Sequence, residues 1–358
     1  MNIDLYEEFF AARFELEAPR VQRGDISEGT LIDRASGARH PIVGGIPRFV
    51  APENYAANFG LQWNKFRSTQ LDSVAGIRFS FNSFWNNTRW KPRDLYGKTV
   101  LEVGSGAGRF TEILLDAGAR VVSFDYSSAV EANWRNNAGR GDLLLFQGDL
   151  YDIPFPDEHF DFVFCYGVLQ HTPDPPRAFR SLYAKLRPGG KLSIDYYLKV
   201  PYPAWYSTPK YLWRPLTTRM PPEQLFRWIS RYVPFWFPID SALKSVLFRV
   251  PRIGQMLAGL IPIPCWNHLR MGLSYRQRLE WAILNTFDAL GARYDEPMTL
   301  AQVQQMVSGP GRSAQVFYGA NGVVANIVKQ SSGADAVARA PQPDVSHDAD
   351  ELAPVGSG

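Results

Sequence analysis

A glycine-rich turn is the part of this chain whose residue types and spacing best suit ligand binding. The apolar run from Thr99 to Val103 predicts a buried parallel strand, and it leads into Gly104, Gly106 and Gly108 ahead of a helical pattern. Strand, glycine turn and helix in this order bind adenosine-containing cofactors at the carboxyl ends of parallel strands. The glycines let the backbone turn sharply and approach a ligand closely.

The residues around these glycines indicate which cofactor fits. A dinucleotide site of the pattern G-x-G-x-x-G needs its third glycine at the position of Arg109, whereas Gly108 comes one residue early. Glu102 lies two residues before Gly104, where a carboxylate would repel a pyrophosphate and favour a cationic ligand. S-adenosylmethionine carries a sulfonium and an amino group but no phosphate, so the charges favour it over a nicotinamide dinucleotide.

Five strand-like or turn-like segments follow one another within residues 95–197. They are Glu102 to Gly108, Val121 to Asp125, Phe146 to Leu150, Asp161 to Cys165 and Leu186 to Gly190. In order and spacing they resemble the motifs of class I S-adenosylmethionine-dependent methyltransferases, similar in particular to the small-molecule methyltransferases of quinone biosynthesis. The resemblance, which extends more weakly over 298–329, implies an α/β fold. We expect a doubly wound, mostly parallel, seven-stranded Rossmann-like sheet ending in an antiparallel hairpin.

The resemblance also implies which residues hold the cofactor. Asp125, 21 residues after Gly104, is expected to bind the ribose hydroxyls, and Asp149 the adenine amino group. Asp125 could instead cap a helix, and Asp149 shares its loop with Asp152 and Asp157, any of which could be a solvated turn residue. The residues expected to bind the cofactor are Glu102, Gly104, Ser105, Gly106, Asp125, Tyr126, Asp149, Leu150 and Tyr166.

Methyl transfer needs an acceptor held close to the sulfonium and, for a hydroxyl acceptor, a base. His171 follows the fourth predicted strand, and its unperturbed pKa of about 6.5 suits a base at neutral pH. The alternative is that His171 only orients its loop. Asp195, Tyr196 and Tyr197 end the fifth predicted strand and are expected to face the same cleft, where Tyr197 could stack on the acceptor or pack in the core.

Residues 1–50 predict a small β module with a strand and turn over 29–37 and a second short strand over 40–50. The end of this module resembles the sequence Y-P-I-x-x-G-I-P, with which the zinc ribbons found beside some methyltransferases end. His40 replaces the tyrosine and the cysteines of the ribbon are absent, so no metal site is expected.

Residues 51–97 predict aromatic-rich helices that cover the cofactor. Gln62 and Trp63 could reach its methionine end, and helix packing would explain them equally well. Over 98–197, strand-like and helical runs alternate, which is typical of a parallel sheet with helices on both faces.

The segment 298–330 is expected to complete the core sheet. Thr299 is the predicted N-cap of a helix over 300–307. The dipeptide Asn321-Gly322 is a strong signal for the turn of a final hairpin.

Residues 198–297 interrupt this alternation with many prolines and aromatics and predict a helical lid on the substrate side. Part of it, 243–266, could lie on a membrane surface or pack on the core, although the apolar stretch over 253–269 is too interrupted to span a bilayer. The Ala, Pro, Ser and Asp content of 331–358 predicts a disordered tail.

The composition indicates which binding partners and which cellular compartment to expect. A net charge of +3 over 358 residues, with Lys and Arg scattered, does not favour a nucleic-acid partner. Two cysteines provide no disulfide framework, and Cys165 is expected in the core. Asp4, Glu7 and Glu8 occupy the place of the cationic region of a signal peptide, so a cytoplasmic setting is expected.

These features predict an enzyme that moves a methyl group from S-adenosylmethionine to an oxygen of a small molecule or glycan. The alternatives are a catalytically silent S-adenosylmethionine-binding protein and a methyltransferase acting on nitrogen or carbon of a quinone-like or natural-product acceptor. Arg109 and Glu102 disfavour a nicotinamide-dependent oxidoreductase. The sequence leaves the acceptor and the oligomeric state open.

Overall fold

The computed structural model describes residues 1–22, 24–51, 54–199, 209–250, 253–269 and 271–331. The predicted tail, apart from Ser331, and residues 200–208 of the predicted lid lie outside these ranges.

The N-terminal module is a helix followed by a four-stranded antiparallel sheet in the order β1-β2-β3-β4. Its elements are α1 Ile3–Phe9, β1 Phe14–Gln22, β2 Asp25–Asp33, β3 Arg39–Val43 and β4 Ile46–Pro47. The two strands predicted from the sequence correspond to β2 and to β3 with β4, whereas α1 and β1 were missed. Most of β1 is exposed and its pairing with β2 is interrupted between Glu17 and Arg20, so it lacks the apolar–polar alternation of a half-buried strand.

Four helices precede the first strand of the central sheet. They are α2 Ala57–Lys65, α3 Asp72–Ala75, α4 Phe79–Thr88 and α5 Pro92–Leu95. The rings of Phe84 and Trp90 pack on Phe164, which lies in a strand of that sheet, and this contact holds the helical segment against the core.

The central sheet has seven strands in the order β10-β11-β9-β8-β5-β6-β7. The strands are β5 Thr99–Val103, β6 Arg120–Asp125, β7 Leu143–Gln147, β8 Phe160–Cys165, β9 Leu186–Tyr196, β10 Arg312–Gly319 and β11 Gly322–Lys329. The first five are parallel, and β10 and β11 form an antiparallel hairpin that pairs with β9. This confirms the predicted doubly wound, seven-stranded sheet with its terminal hairpin.

Helices connect the strands of this sheet. They are α6 Arg109–Asp116, α7 Val130–Asn137, α8 Pro175–Lys185 and α13 Leu300–Val307. Thr299 caps α13 in a reciprocal capping box with Gln302, which confirms the predicted cap.

Two turns differ from the prediction. Leu186 to Gly190 belongs to β9 itself, where a register shift in the pairing with β8 takes up the extra residues. A Cβ atom on Gly190 would lie 2.9 Å from the carbonyl oxygen of Asp161, so glycine lets the two strands stay close at this irregularity. The hairpin loop is Ala320-Asn321 rather than Asn321-Gly322, because Gly322 already pairs with Gly319.

The N-terminal module covers the β7 edge of the central sheet. The N–H of Phe49 donates to the carbonyl of Gln147 at 2.8 Å, and Arg48 pairs with Glu131 of α7. The ring of Phe49 packs edge-on against Phe146 with centroids 5.6 Å apart. An edge strand left open would offer unpaired backbone groups to other chains, so this contact protects the edge.

A second helical region lies between β9 and α13. Its helices are α9 Lys210–Thr217, α10 Pro222–Leu247, α11 Ile253–Gly259 and α12 Tyr275–Gly291. α10 and α12 bury an apolar cluster of their own that includes Leu225, Val233, Phe237 and Phe287. Among the described residues, no helix is both long enough and apolar enough to cross a membrane.

The chain reverses direction within the sheet next to β5. From β5 it proceeds outward through β6 to β7, then returns to β8 on the other side of β5. The carboxyl ends of β5 and β8 therefore border a crevice, which is where open α/β sheets bind their ligands.

Candidate active site

Two adjoining cavities open at the carboxyl ends of β5 and β8. The larger has a volume of about 630 Å³ and lies between the sheet, α2 and the second helical region. The smaller, of about 80 Å³, lies against the ends of β5, β6 and β7. Phe59, Gly104, Gly167 and His171 line both cavities, so the two meet at the strand-order reversal.

Asp125 ends β6, and its buried carboxylate lines the smaller cavity. Oδ2 accepts the N–H of Gly106 at 3.0 Å, while Oδ1 accepts the N–H and the hydroxyl of Ser127 at 2.9 and 2.7 Å. Burial raises the pKa of Asp125 above its usual value, and these hydrogen bonds oppose that rise. Asp125 does not cap a helix, because α7 begins at Val130 with Ala129 in the cap position.

The loop after β7 contributes one of its three acids to the smaller cavity. Asp149 lines that cavity, and its Oδ1 accepts the N–H of Tyr151 at 2.9 Å. Asp152 lines neither cavity, and Asp157 forms an exposed ion pair with Lys185 at 2.8 Å. Of the three acids that the sequence could not distinguish, Asp149 is therefore the one that lines the smaller cavity.

Aromatic rings form one wall of the smaller cavity. Tyr126 follows Asp125, and its ring packs against Tyr55 with centroids 4.9 Å apart, while Tyr294 meets Tyr55 edge-on. Leu150 lines the cavity beside them. Tyr55 and Tyr126 both line this cavity, and aromatic rings suit contact with the face of a planar ligand ring.

The glycine turn needs glycine for both its conformation and its space. Gly104 and Gly106 have φ angles of +71° and +53°. A Cβ atom on Gly104 would lie 2.2 Å from Cγ2 of Val168, and one on Gly106 would lie 3.1 Å from the indole of Trp63. Ser105 between them is buried, lines the larger cavity, and has no hydrogen-bond partner for its hydroxyl among the described residues.

Glu102, which is expected to contact the cofactor, lies behind the turn and lines neither cavity. Its side chain is 1% exposed, and its Oε2 accepts the hydroxyls of Thr111 and Ser123 at 2.5 and 2.8 Å. These hydrogen bonds hold the carboxylate between α6 and β6 and away from the crevice. Burial raises the pKa of Glu102 to about 7.

His171 ends a single 3₁₀ turn over Leu169–His171 and lines both cavities. Its Nδ1 lies 2.9 Å from the carbonyl oxygen of Tyr294, which can only accept, so Nδ1 carries the proton of this hydrogen bond. In the neutral imidazole, Nε2 is then the nitrogen that can take up a proton. The ring contacts Phe59 and Tyr197 with centroids 5.3 and 5.2 Å away.

The end of β9 presents alternate residues to the larger cavity. Asp195 and Tyr197 line it, whereas Tyr196 is fully buried on the other face and donates to the sulfur of Met306. The expectation that all three residues face the cleft was wrong for Tyr196, because successive side chains of a strand point to opposite faces.

Asp195 is a buried acid in the larger cavity. Its Oδ1 accepts the N–H of Gly167 at 2.6 Å and its Oδ2 accepts the Asn321 amide at 3.3 Å. Burial raises the pKa of Asp195 to about 6 despite these donors and the charge of Arg109. The partly buried Arg109 donates to the side chain of Gln70 at 2.9 Å.

Tyr166 occupies the wall below the glycine turn. Its hydroxyl lies 2.7 Å from that of Ser193, and its ring stacks on Phe164. Burial raises the pKa of Tyr166 above its usual value. The Tyr166 hydroxyl thus has a hydrogen-bond partner within the protein, while Tyr166 also lines the larger cavity.

Gln62 and Trp63 line the larger cavity from α2. Gln62 donates to Asp288 of α12 at 3.5 Å, and Trp63 lies over Gly106. The structure therefore brings every predicted site residue except Glu102 to one of the two cavities.

Sequence reasoning missed the charged residues that the second helical region adds. Lys210 lies 2.8 Å from Asp295 in an ion pair that borders the larger cavity, and Asp288 lines it from α12. Burial acts to raise the pKa of Asp295, but Lys210 and Arg214 hold it below its usual value. No motif marks these residues. The signal available for Asp288 was a charge within the otherwise apolar run from Phe287 to Leu290.

Among the described residues, no group of three or more His, Cys, Asp or Glu side chains is arranged to hold a metal ion.

Comparison with known proteins identifies the core. Residues 101–194 match the family model described as a methyltransferase domain. The chain contains a class I S-adenosylmethionine-dependent methyltransferase domain. That match covers β5 to β9 and with them the glycine turn, Asp125, Asp149 and His171.

Curated relatives of the methyltransferase domain differ in what they act on. A tRNA U34 carboxymethyltransferase of Nautilia profundicola is 32% identical over 155 residues, which cover 38% of this chain and 52% of that protein. A ubiquinone biosynthesis O-methyltransferase of Coxiella burnetii is 37% identical over 100 residues, 27% of this chain and 43% of that protein.

A third relative has a name that states the cofactor. This Mycolicibacterium smegmatis protein, called a probable S-adenosylmethionine-dependent methyltransferase, is 32% identical over 99 residues, 28% of this chain and 38% of that protein. The chain thus spans about half or less of the length of the three relatives.

Proposed function

We propose that this protein transfers a methyl group from S-adenosylmethionine to an oxygen atom of a small acceptor held in the larger cavity. The observation that carries the proposal is the meeting of the two cavities at Gly104 and His171. One cavity has the acids and rings suited to an adenosine, and the other has the volume and mixed lining suited to an acceptor.

The lining of the smaller cavity supports its assignment to the adenosine. The Asp125 carboxylate would accept hydrogen bonds from ribose hydroxyls, Asp149 would accept one from the adenine amino group, and the rings of Tyr126 and Tyr55 would contact the base. At about 80 Å³ the cavity is smaller than ligand sites usually are, and the larger cavity, which shares Phe59, Gly104, Gly167 and His171 with it, supplies further space for the cofactor.

The methionine end of the cofactor would be held by residues of the larger cavity at the glycine turn. The unpartnered hydroxyl of Ser105 and the backbone at Gly106 are available to its polar groups. The guanidinium of Arg109, which lines the same cavity, would attract its carboxylate. Glu102 acts indirectly, by holding α6 and β6 in the positions that shape the turn.

When bound, S-adenosylmethionine supplies an electrophilic methyl carbon, and an acceptor oxygen bonds to it as the carbon–sulfur bond breaks and the sulfur keeps the electron pair. The chain's own contribution is to exclude water, orient the acceptor and take up the proton that its hydroxyl loses. Nε2 of His171 is suited to that proton, since Tyr294 holds the proton of Nδ1 on the other side of the ring. Tyr197 and Trp63 border the acceptor space and can stack on a flat acceptor.

The proposal is tested first by binding and then by transfer. Calorimetric titration should show binding of S-adenosylmethionine and S-adenosylhomocysteine, and no binding of NADH. Transfer of a labelled methyl group is then measured with catechols and quinols, with sugars, and with unmodified tRNA as separate acceptors.

Each outcome bears on a different part of the proposal. Binding without transfer to any acceptor would favour the catalytically silent alternative. Transfer to tRNA alone would replace the small acceptor with RNA. Absence of cofactor binding by a folded protein would refute the assignment of the smaller cavity.

A further inference from the structure

The side of α10 that faces away from the protein carries large apolar side chains in water. Trp228, Phe235, Ile239, Leu243 and Val246 follow one another at steps of seven, four, four and three residues, which places them along one side of an α-helix. Phe235 is 76% exposed and Trp228 63%. The same helix buries a separate row of residues in its own core, so this exposed row is additional to the one that folding requires.

The apolar surface continues onto the neighbouring helices. Leu212 and Leu216 of α9 and Ile253, Met256 and Leu257 of α11 are exposed as well. We call the exposed apolar residues of α9, α10 and α11 the lid patch.

Hydrogen bonds tie the helices of the lid patch to one another. The segment after α11 ties the helices together, because Trp213 of α9 donates to the carbonyl of Pro262 at 2.7 Å and Tyr232 of α10 donates to that of Pro264 at 2.9 Å. Large apolar side chains that are exposed on three joined helices differ from the scattered single residues that soluble proteins usually leave in contact with water.

The charges around the lid patch are strongly positive. Residues 209–269 contain eight Lys or Arg and two Asp or Glu, a net charge of +6, whereas the whole chain carries only +3. One of the two acids, Asp240, is buried against Lys244 at 2.8 Å, which leaves Glu223 as the exposed acid of this segment.

In the described part of this segment, four exposed arginines supply surface charge. They are Arg219, Arg227, Arg231 and Arg249. None of them forms an ion pair with a carboxylate in the part of the chain that the structure describes. Arg227 and Arg231 lie one turn apart on α10, beside the apolar row.

We infer that the lid patch docks on an anionic lipid bilayer, with α10 and α11 lying in the plane of the interface. A helix with a large apolar face and basic residues beside it binds at the boundary between headgroups and acyl chains. Anionic lipids attract the arginines, and burial of the apolar side chains supplies the remaining stabilisation.

Two other occupants fit less well. Aliphatic side chains such as Ile239, Leu243 and Val246 make no favourable contact with phosphates, on which affinity for nucleic acid mainly depends. A second copy of the chain in a symmetric dimer would bring the same exposed arginines against one another, and like charges oppose such contact.

The test is sedimentation with vesicles, without cofactor or acceptor, so its result does not depend on methyl transfer. We expect the full chain to bind vesicles of phosphatidylcholine with phosphatidylglycerol, less well at high salt, and to bind phosphatidylcholine alone weakly. The double variant Trp228→Glu, Phe235→Glu should lower the affinity at least about tenfold. The double variant Tyr96→Glu, Tyr318→Glu is the matched control, since both tyrosines are exposed elsewhere, at 76% and 66%.

A second variant distinguishes the contribution of charge from that of apolar contact. It also keeps the inference testable if the first variant does not fold. Arg227→Ala with Arg231→Ala leaves the apolar row intact and should reduce binding to anionic vesicles only. Circular dichroism and thermal unfolding confirm that each variant is folded.

Three results would overturn the inference. The first is that the parent protein stays in the supernatant with anionic vesicles. The second is equal vesicle binding by the patch and control variants. The third is a dimer or a tRNA complex that the patch variant loses while vesicle binding is absent.

Discussion

At the scale of single residues, the acids of the smaller cavity differ in how much of the protein depends on them. Asp125 holds Gly106 and Ser127, so its removal disturbs the turn as well as any ligand. Asp149 accepts one local backbone hydrogen bond and is the cleaner probe. We expect Asp149→Ala to weaken binding of S-adenosylhomocysteine by about 1–3 kcal/mol, the effect of losing a hydrogen bond to a charged group.

Asp152→Ala is the matched control, because Asp152 lies in the same loop but lines neither cavity. Titration calorimetry of both variants decides the matter. Equal affinities of the two variants would remove Asp149 from the cofactor site.

The two ring nitrogens of His171 have different expected roles, and a substitution can test them separately. Asn replaces the Nδ1–H group that bonds to Tyr294 but cannot accept a proton as Nε2 does. If His171 is the base, His171→Asn should lower the transfer rate to a hydroxyl acceptor by about 10²–10⁴-fold while cofactor binding is kept. If the histidine only orients its loop, this variant should retain most of the activity and His171→Ala should not.

Glu102 should make the stability of the protein depend on pH. Its pKa of about 7 when folded lies above the usual value of 4.5, so the folded state binds the proton more tightly than the unfolded state. The stabilisation is therefore complete below about pH 4.5 and is lost as the pH rises through 7. Glu102→Gln keeps an acceptor for Thr111 and Ser123 but does not titrate.

We expect the free energy of unfolding of the parent, relative to Glu102→Gln, to fall by up to about 3 kcal/mol between pH 5 and pH 8. Urea unfolding at several pH values measures it. A difference between the two proteins that stays constant with pH would contradict the burial of a titrating carboxyl at this position.

At the scale of elements, the cap of α13 offers a local test of the fold. Thr299 accepts the N–H of Gln302 and the Gln302 side chain accepts the N–H of Thr299. Thr299→Ala should lower the free energy of unfolding by about 1 kcal/mol, because the N–H of Gln302 loses the hydroxyl that accepts its hydrogen bond. Chemical unfolding measures the loss, and an unchanged midpoint would mean that solvent satisfies this donor equally well.

The sequence predicted elements best where burial imposes a regular pattern. β5 lies over Thr99–Val103 as predicted, because a parallel strand buried on both faces reads as one apolar run. β1 was missed because it is mostly exposed, and the extent of β9 was missed because its register shift has no local pattern. The hairpin loop moved by one residue, since the pairing of Gly319 with Gly322 overrides the preference of Asn-Gly for the turn itself.

At the scale of the whole molecule, the two cavities differ in how far the sequence could predict them. The residues of the smaller cavity lie mainly at the ends of consecutive strands, so spacing along the chain locates them. The larger cavity takes Lys210 from α9, Asp288 from α12 and Asn321 from the hairpin loop. These residues are far apart in sequence, and only the packing of the helical region on the sheet brings them together.

The division of the apolar core into separate clusters predicts that parts of the molecule unfold locally before the whole does. α10 and α12 bury an apolar cluster around Phe237 and Phe287 that is separate from the two clusters of the sheet. Polar contacts join this region to the rest, among them the indole of Trp281 on the carbonyl of Thr69 at 2.9 Å and Gln277 on that of Ala75. We therefore expect amides of α10 and α12 to exchange through a partial opening of lower free energy than that of β5 and β8.

Hydrogen exchange followed by mass spectrometry at low denaturant measures this difference. S-adenosylhomocysteine should slow exchange in α2 and in the turn after β5, because a ligand that binds only the closed form stabilises the elements that line its cavity. The β1 to β3 strands of the N-terminal module line neither cavity and serve as the internal control. Simultaneous exchange of α10, α12 and β5 across the denaturant series would mean that the helical region and the sheet unfold as one cooperative unit.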